Sequence, residues 1–336
     1  MNVSRRLLAD VSAETYARLT GGSLMVSPGF LELWRARGGR TVVWTVEVGG
    51  AVGALLPGIE FGRGPFARFV SAADGCYGGL SVDPALERDR ATIARSLLEA
   101  LVRRHYAKAH IFDFHGTVPC HPGFLAEPCE TTLVAITGPD WLPAERKLQS
   151  QLRKAAREGV QVVRFDWERH HAGLLELVAL TARHRGLKPR YPPDFLRDLA
   201  RLAQRDERVR WTWCEHGGRP VCSHIYFEQG GVVQAWQSFF DRAFSHLKAN
   251  PLVRLTACRE AAGRGIRWLN LGATPEGAVG LAYFKSRWGG RRVRYSSYVR
   301  REGLGLFVGA GRPPAQRSPR SRRPSRRSSP SSSVSG

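Results

Sequence analysis

A helix start in the second half of the chain carries residues suited to hold a phosphate. The run 232–239 is β-like, the segment 251–263 is helical, and Lys248, Asn250 and Leu252 lie at their junction. The first turn of a helix points unpaired N–H groups outward and carries partial positive charge. A lysine and an asparagine add donors there, so we predict that this junction binds a phosphorylated ligand. The alternative is an ordinary helix cap with a surface lysine beside it.

The first half has a comparable junction at residues 78–90, but its charge is of the wrong sign. Asp83, Glu87 and Asp89 surround that helix start. Carboxylates beside a helix N-terminus stabilise the helix but repel a phosphate. We therefore expect the anion site in the second half.

Several side chains near these elements can move a proton. Asp241 follows the run 232–239, and Glu228 ends the run before it. A carboxylate in such a place can serve as a general base, and a tyrosine hydroxyl as a general acid. The candidate phenols are Tyr283, Tyr295 and Tyr298. No motif supports a catalytic role for any of these residues, and the pattern favours a purely structural role for each of them.

The histidines and cysteines give weaker indications of a functional site. In the run 221–228, alternation puts His224 and Tyr226 on one face, where they line a substrate cleft or are ordinary sheet residues. The histidines and cysteines between positions 105 and 129 lack the paired spacing of structural zinc sites. We therefore expect no metal. The phosphate-loop and nucleophile-elbow motifs are also missing from the sequence.

The elements around these residues alternate between strand and helix patterns. β-like runs lie at 41–48, 51–56, 110–114, 131–137, 161–165, 209–215, 221–228, 232–239, 268–271 and 292–299. Helical patterns lie at 84–107, 145–159, 172–184, 193–204 and 251–263. Glycine pairs join the runs 41–56 into a hairpin and the runs 209–239 into an antiparallel meander.

An internal echo indicates how these elements are organised. The stretch LLEALVRRHYAKAHIFDFHGT ends at Thr117, and RLTACREAAGRGIRWLNLGAT ends at Thr274. Each is a helix, a basic turn and a strand with a polar centre, Asp113 in the first and Asn270 in the second. Their separation is about one domain. The sequence therefore predicts two tandem copies of one α/β unit.

The most specific string is YFKSRWGG, residues 283–290, shortly after Leu-Gly-Ala-Thr. With the basic stretch RKLQSQLRKAAREGVQV and the junction SFFDRAFSHLKANPLV, it resembles the C-terminal half of the Fem-type aminoacyltransferases. These enzymes build peptidoglycan cross-bridges and have many acyltransferase relatives in the GNAT superfamily. The likeness covers about residues 145–295 and is clearest in FKSRWGG and RKAAREGV.

The resemblance implies two tandem GNAT-like units, each a mostly antiparallel mixed sheet flanked by helices, with a cleft between them. We expect the units at residues 1–140 and 141–311. The implied reaction is transfer of an acyl or aminoacyl group to an amine. By the resemblance, residues 248–252 face the phosphates of the donor, and Lys285 binds substrate or donor phosphate. The residues expected near the acceptor are Arg153, Lys154, His224, Tyr226 and Trp288.

Charge and composition narrow the setting. The chain of 336 residues has a net charge of +22, and the Arg/Ser/Pro tail 312–336 contributes seven arginines and no acid. That tail is too polar to fold, so we expect it to be disordered. The remaining +15 suggests an anionic partner such as a phosphorylated cofactor, RNA (tRNA included), DNA or a lipid surface. The alternative is that arginine serves only as a solubilising surface residue. Without a signal-peptide pattern or an apolar span, we expect a cytoplasmic protein.

Three functions follow from these observations. The first is an N-acyltransferase that moves an acyl group from acyl-CoA to an amine, since the long coiled-coil insertion of the cross-bridge enzymes is missing. The second is an aminoacyl-tRNA-dependent transferase acting on a peptidoglycan precursor or a peptide amine, which the basic body and tail favour. The third is a non-catalytic nucleic-acid-binding protein on a degenerate GNAT scaffold.

Overall fold

The computed structural model describes residues 1–274 and 277–302. The tail at 312–336 lies outside the described residues. The strands of the first half are β1 (Asn2–Leu7), β2 (Gly39–Val48), β3 (Ala51–Phe61), β4 (Arg68–Val70), β5 (Ser81–Val82), β6 (Lys108–Asp113) and β7 (Leu125–Ala135). Its helices are α1 (Ala13–Thr20), α2 (Pro28–Glu32) and α3 (Arg90–Arg103).

The second half repeats this order of elements. Its helices are α4 (Arg146–Arg157), α5 (Trp167–His184), α6 (Pro193–Arg205), α7 (Ala249–Gly263) and α8 (Val279–Ser286). Its strands are β8 (Gln161–Arg164), β9 (Val209–His216), β10 (Arg219–Gln229), β11 (Val232–Phe240), β12 (Trp268–Ala273) and β13 (Arg291–Arg301). In both halves two helices follow the first strand, and one long helix follows the meander.

The described strands join in one sheet of thirteen. Twelve run in the order β1-β2-β3-β4-β6-β13-β7-β12-β11-β10-β9-β8, and β5 pairs with β3. Within the described part of the chain, only β4 with β6 and β11 with β12 are parallel neighbours. Asp113 ends β6 and Asn270 lies in β12. The echo seen in the sequence therefore marks equivalent strands of two α/β units, as predicted.

The last strand joins the sheet of the first half. β13 lies between β6 and β7 and is antiparallel to both, while β7 also pairs with β12 of the second half. The two halves thus exchange strands at the centre of the sheet. A single cut at residue 140 assigns β13 to the second unit, although its partners in the sheet all precede that cut.

Several elements differ from the sequence prediction. The strands β1, β4 and β5 and the helices α1 and α2 are not predicted, and α5 begins at Trp167 rather than at residue 172. The helix expected from residue 84 begins at Arg90, because Pro84–Asp89 form a 3-10 segment in which Leu86 is non-helical. Strand β7 begins at Leu125 rather than at residue 131, because its first part pairs with β13. That partner is more than 150 positions away in sequence, so local patterns do not show it. Helix α8 is an element that the patterns do not predict.

The halves also share a hydrophobic core. On one face of the sheet, α2 of the first half packs beside β10, where the rings of Phe30 and Phe227 are 5.1 Å apart. Nearby, Trp34 contacts Phe195 of α6 at 5.0 Å. On the opposite face, α4, α7 and α8 cover β10, β11 and β12. The helices that carry the predicted site residues all lie on this second face.

Candidate active site

Strands β11 and β12 separate after a short parallel contact. Val232 to Gln234 pair with Trp268 to Asn270, and beyond them β11 continues to Phe240 beside β10 alone. A gap therefore opens between the carboxyl ends of the two parallel strands. In an open α/β sheet such a gap is a preferred position for a ligand. Helix α7 follows β11, and α8 follows β12, so both flank the gap.

Helix α7 begins with unsatisfied donors at this opening. Lys248 precedes the helix in the left-handed backbone region, with φ of 57°, and no side chain caps the helix. A cavity of about 110 Å³ lies at this end. Its lining includes Asp241, Ser245, Lys248, Asn250 and Pro251. The predicted anion-binding residues Lys248 and Asn250 thus share one small cavity, and Leu252 is half-buried in the first turn.

A buried histidine holds Asn250 in place. His224 Nε2 is 2.7 Å from Asn250 Oδ1, and its Nδ1 is 3.0 Å from the Tyr226 hydroxyl. Burial, reinforced by the charge of Arg254, lowers the pKa of His224 to about 3, so the ring is neutral. The amide oxygen only accepts, so we assign the proton to Nε2, and the Tyr226 hydroxyl donates to Nδ1. The Asn250 amide nitrogen remains a free donor beside the cavity.

Lys285 lies on α8 and reaches back to the end of β12. It is 2 % exposed. Its Nζ donates to the carbonyl oxygens of Gly272 at 2.5 Å and Ala273 at 2.9 Å, and to Thr274 Oγ1 at 2.9 Å. Burial, with Arg254 second, lowers the pKa of this lysine to about 8. All three ammonium protons are engaged, so Lys285 fixes the turn after β12.

Arg254 of α7 acts on both His224 and Lys285, and it is not among the predicted site residues. Its guanidinium carbon is 5.0 Å from the ring centre of Phe284 and 5.6 Å from that of Trp288. The signal was available in the helical period. Arg254 shares a stripe of α7 with the apolar positions Ala257 and Cys258, at spacings of three and four residues. An arginine on that stripe is directed into the protein.

Tyr283 lies on the outer side of α8 and is 61 % exposed. It borders a second cavity of about 480 Å³ between α8 and the start of β13. The lining is rich in hydroxyl groups and also carries one carboxylate and one guanidinium. Its polar members are Glu130, Thr132, Thr274, Tyr283, Ser286 and Arg292. Glu130 and Arg292 approach to 3.6 Å, and Glu130 raises the pKa of Lys285, opposing the effect of burial.

The two predicted carboxylates lie in different places. Asp241 accepts a hydrogen bond from the Ala243 N–H and so begins the 3-10 segment before α7. Glu228 is 7 % exposed and forms ion pairs with Arg264 and Arg210. Arg264 follows the end of α7, about 20 Å along the helix axis from Asn250. Glu228 is therefore at the opposite end of α7 from the cavity.

The remaining predicted residues fall into two groups. Arg153 is exposed on α4, and Lys154 lies 3.8 Å from Glu158 on the same helix. Trp288 is 1 % exposed and stacks on Trp141. The basic helix is held near α8 because Arg287 Nε donates to Glu145 Oε2 at 2.6 Å. Of the two tyrosines beyond Tyr283, Tyr295 packs on Tyr77 and Phe114, and Tyr298 donates to the Val118 carbonyl oxygen.

The first half contributes a loop to this region. Gln234 and Trp236 of β11 donate to the carbonyl oxygens of Gly75 and Asp74 at 2.6 and 2.9 Å. Asn270 of β12 donates to the hydroxyl of Tyr77 at 3.0 Å. The echo residue Asn270 thus joins the second half to the first at the strand that leads to Lys285.

Within the described residues, the structure contains neither a membrane-spanning helix nor a cluster of metal-binding side chains. None of the helices within 1–274 and 277–302 is both long and apolar enough to cross a bilayer. Over the same residues, His, Cys, Asp and Glu side chains form no group of three or more that could hold a metal ion.

Comparisons with known proteins agree with this geometry. A family model described as an acetyltransferase (GNAT) domain matches residues 144–286. A search of curated proteins found no match. The crystal structure of FemX superposes with a TM-score of 0.66 at 12 % identity, covering 91 % of this chain and 99 % of FemX.

Two further solved structures are similar over comparable lengths. L-PGS from Bacillus licheniformis superposes with a TM-score of 0.59 at 14 % identity, covering 88 % of this chain and 94 % of that protein. A tandem GNAT protein from the clavulanic acid biosynthesis pathway gives 0.53 at 14 % identity, covering 90 % and 99 %. At such identities the likeness is one of fold. The chain therefore has the GNAT fold, with residues 144–286 matching the acetyltransferase domain of that superfamily.

Proposed function

We propose that this protein is an N-acyltransferase that moves an acyl group from acyl-CoA to an amine acceptor. The observation that carries the proposal is the gap between β11 and β12, with the uncapped start of α7 at its mouth. Lys248, the Asn250 amide and the free N–H groups of the first turn bind the phosphates of the donor. The acyl end then extends into the gap towards α8.

The first half lacks an equivalent donor site. At the corresponding position Asp83 accepts a hydrogen bond from the Ala85 N–H and forms an ion pair with Arg18. Glu87 pairs with Arg90 in the first turn of α3. The carboxylates already occupy this end of the helix, and their charge disfavours a phosphate. We therefore place the donor at the start of α7 and not at this junction.

The acceptor amine enters from the cavity of about 480 Å³ beside α8. Its neutral nitrogen attacks the thioester carbonyl carbon, a C–N bond forms, and the C–S bond breaks as CoA leaves as the thiol. Glu130, partly exposed in this cavity, takes the proton from the nitrogen, directly or through water. Tyr283 protonates the leaving sulfur. Asp241 caps the 3-10 segment before α7, and Glu228 lies at the opposite end of α7, so we place neither in the reaction.

Lys285 supports the reaction by holding the turn that follows β12. Removing its ammonium leaves two carbonyl oxygens and one hydroxyl without their donor. Lys285→Ala is therefore expected to lower transfer at least tenfold, about 1.4 kcal/mol of transition-state stabilisation. Unchanged turnover in this variant contradicts the assignment.

Calorimetric titration with acetyl-CoA and with free CoA, at two salt concentrations, tests the donor. We expect saturable binding that weakens with salt, because phosphate contacts are partly electrostatic. Lys248→Ala should weaken binding about tenfold. Lys188→Ala removes the same charge from an exposed lysine of the α5–α6 connection and should leave binding unchanged. The absence of binding by the wild-type protein to either ligand refutes the acyl-CoA donor.

A second candidate is an aminoacyl-tRNA-dependent transferase. The exposed side of α4 favours it, because Arg146, Lys147, Arg153 and Arg157 lie there together. Clustered cations of this kind bind a nucleic-acid backbone. Salt-dependent binding of charged tRNA, with transfer of its aminoacyl group and no binding of acetyl-CoA, supports this candidate. Binding of RNA or DNA without transfer, unaffected by Lys285→Ala, indicates a nucleic-acid-binding protein instead.

A further inference from the structure

Arg254 is a buried cation without a counter-ion among the described residues. It is 8 % exposed, and no carboxylate of residues 1–274 or 277–302 lies within 4 Å of its nitrogens. Better exposed arginines of the same half are paired, such as Arg287 with Glu145 and Arg210 with Glu228. Burial of a charge is costly unless it is paired and hydrogen-bonded.

The aromatic rings beside Arg254 contact the faces of its guanidinium group but offer no hydrogen-bond acceptor to the N–H groups at its edges. Phe284 and Trp288 stack on the guanidinium, but a ring face accepts none of the directed N–H bonds that the edges offer. Arg254 Nε and Trp288 Nε1 are fully buried, and neither has a hydrogen-bond partner among residues 1–274 and 277–302. Two donors without a described partner therefore lie on neighbouring side chains, where α7 contacts the end of α8.

Two carboxylates act on the neighbours of Arg254, Glu130 on Lys285 and Glu260 on Tyr226, but neither lies within 4 Å of a guanidinium nitrogen. His224 is neutral, since burial and Arg254 lower its pKa, and burial keeps Tyr226 and Cys258 protonated by raising theirs. Lys285 is a second cation, and its three protons are already donated to the turn after β12. Arg254 therefore has a positive charge with which none of the described carboxylates pairs.

The position of Arg254 connects it with the start of α7. Arg254 follows Asn250 by four residues, so the two lie on one face of the helix, one turn or about 5.4 Å apart. Asn250 is oriented by His224, and its amide nitrogen is free. A ligand bound at the helix start thus meets Arg254 as it extends into the gap.

We propose that Arg254 binds an oxyanion of the donor substrate, either a phosphate of its nucleotide part or a carboxylate of its acyl part. The proposal rests on the proposed function for the identity of the donor. Either group accepts two N–H bonds from one edge of a guanidinium, and Trp288 Nε1 offers a third. The bound anion neutralises the buried charge, so part of the donor affinity arises from an interaction that the free protein lacks.

The test compares three variants with the wild type. Arg254→Met keeps much of the length and removes the charge, and Arg254→Lys keeps the charge and removes the planar guanidinium. Arg259→Met removes another arginine of α7, five residues further along the helix. Calorimetry with acetyl-CoA, succinyl-CoA and inorganic pyrophosphate measures affinity, and thermal unfolding without ligand measures stability. A fold-change in Kd of at least ten is expected for Arg254→Met, a smaller one for Arg254→Lys, and none for Arg259→Met.

The ligands distinguish the two sources of the oxyanion. Equal losses for acetyl-CoA and pyrophosphate place a phosphate at Arg254, and a loss confined to succinyl-CoA places a carboxylate there. In either case Arg254→Met should unfold at the same or a higher temperature than the wild type, because an unpaired buried charge has been removed. Lower stability with unchanged affinities shows that Arg254 is only a packing residue and overturns the proposal.

The binding data also distinguish a failure of the proposed acyl-CoA donor from a failure of the oxyanion site. If the wild type binds pyrophosphate through Arg254 but no CoA compound, the oxyanion site stands and the acyl-CoA donor is wrong. If it binds none of the three ligands, both proposals fall. Glu276 lies outside the described residues, so Glu276→Gln is included. If Glu276→Gln lowers the stability of the wild type but not that of Arg254→Met, Glu276 is a counter-ion of Arg254 within the chain. That result overturns the ligand proposal.

Discussion

The ionisation of Lys285 makes the stability of the protein depend on pH, and this dependence tests the electrostatics around Lys285 and Arg254. Burial and Arg254 lower the pKa of this lysine from its ordinary value of 10.5 to about 8. Between these two values the unfolded chain binds the proton and the folded protein does not. The free energy of unfolding therefore rises with pH across this window, while below pH 8 the folded protein carries the whole cost of the buried charge.

The expected magnitude follows from the same values. Each pH unit within the window contributes about 1.4 kcal/mol, so the contribution of Lys285 grows by up to about 3 kcal/mol between pH 8 and pH 10.5. The measurement is urea denaturation of the wild type and of Lys285→Met at intervals from pH 7 to pH 10.5. Other titrating groups are common to both proteins, so they cancel in the difference between the two free energies.

The same experiment contains its own control. Arg254→Met removes the nearby cation, so the pKa of Lys285 should rise and the window should narrow. A difference between wild type and Lys285→Met that is flat from pH 7 to pH 10.5 refutes the reasoning. So does a difference that falls with pH, since it means that the protein stabilises the charged lysine.

Three further predictions concern other sites. His224 is held neutral with a pKa of about 3, so the wild type should lose up to about 2 kcal/mol of stability between pH 6.5 and pH 5 that His224→Gln keeps, measured by urea denaturation. Glu60, 3 % exposed, accepts from Arg5 and Tyr106, and Glu60→Gln should cost about 3 kcal/mol in the same assay. Gly290→Ala places a Cβ 2.4 Å from Thr132 Cγ2 and should lower stability by about 1–3 kcal/mol in thermal unfolding. The first prediction is contradicted if the wild type and His224→Gln show the same pH dependence of stability. The second is contradicted if Glu60→Gln unfolds with the same free energy as the wild type, and the third if Gly290→Ala has the same melting temperature.

Local pattern was a good guide to the elements of this chain. Hairpins and meanders were visible because glycine pairs separate β-branched runs, and α4, α6 and α7 were visible from their helical period. The echo of Asp113 and Asn270 located equivalent strands, since each unit has a helix followed by a parallel strand. The candidate anion site was also predictable, because a helix start and its neighbours are adjacent in sequence.

Roles that depend on distant partners were not predictable in this way. Glu228 looked free at a strand end, but Arg264 and Arg210 reach it from α7 and β9. Lys285 looked like a ligand-binding cation, but its protons are taken by the turn after β12. Each partner comes from another element, and no local pattern encodes which element will lie alongside.

The sequence by itself determined the composition of the two units, the order of their elements and the basic character of the second half. Tertiary structure alone decided the exchange of β7 and β13 at the centre of the sheet, because strand pairing depends on backbone groups that are alike in every residue. It also decided which charges are compensated. Arg254 lies on α7 and Arg287 directly follows α8, and only folding places two aromatic rings beside the first and Glu145 beside the second.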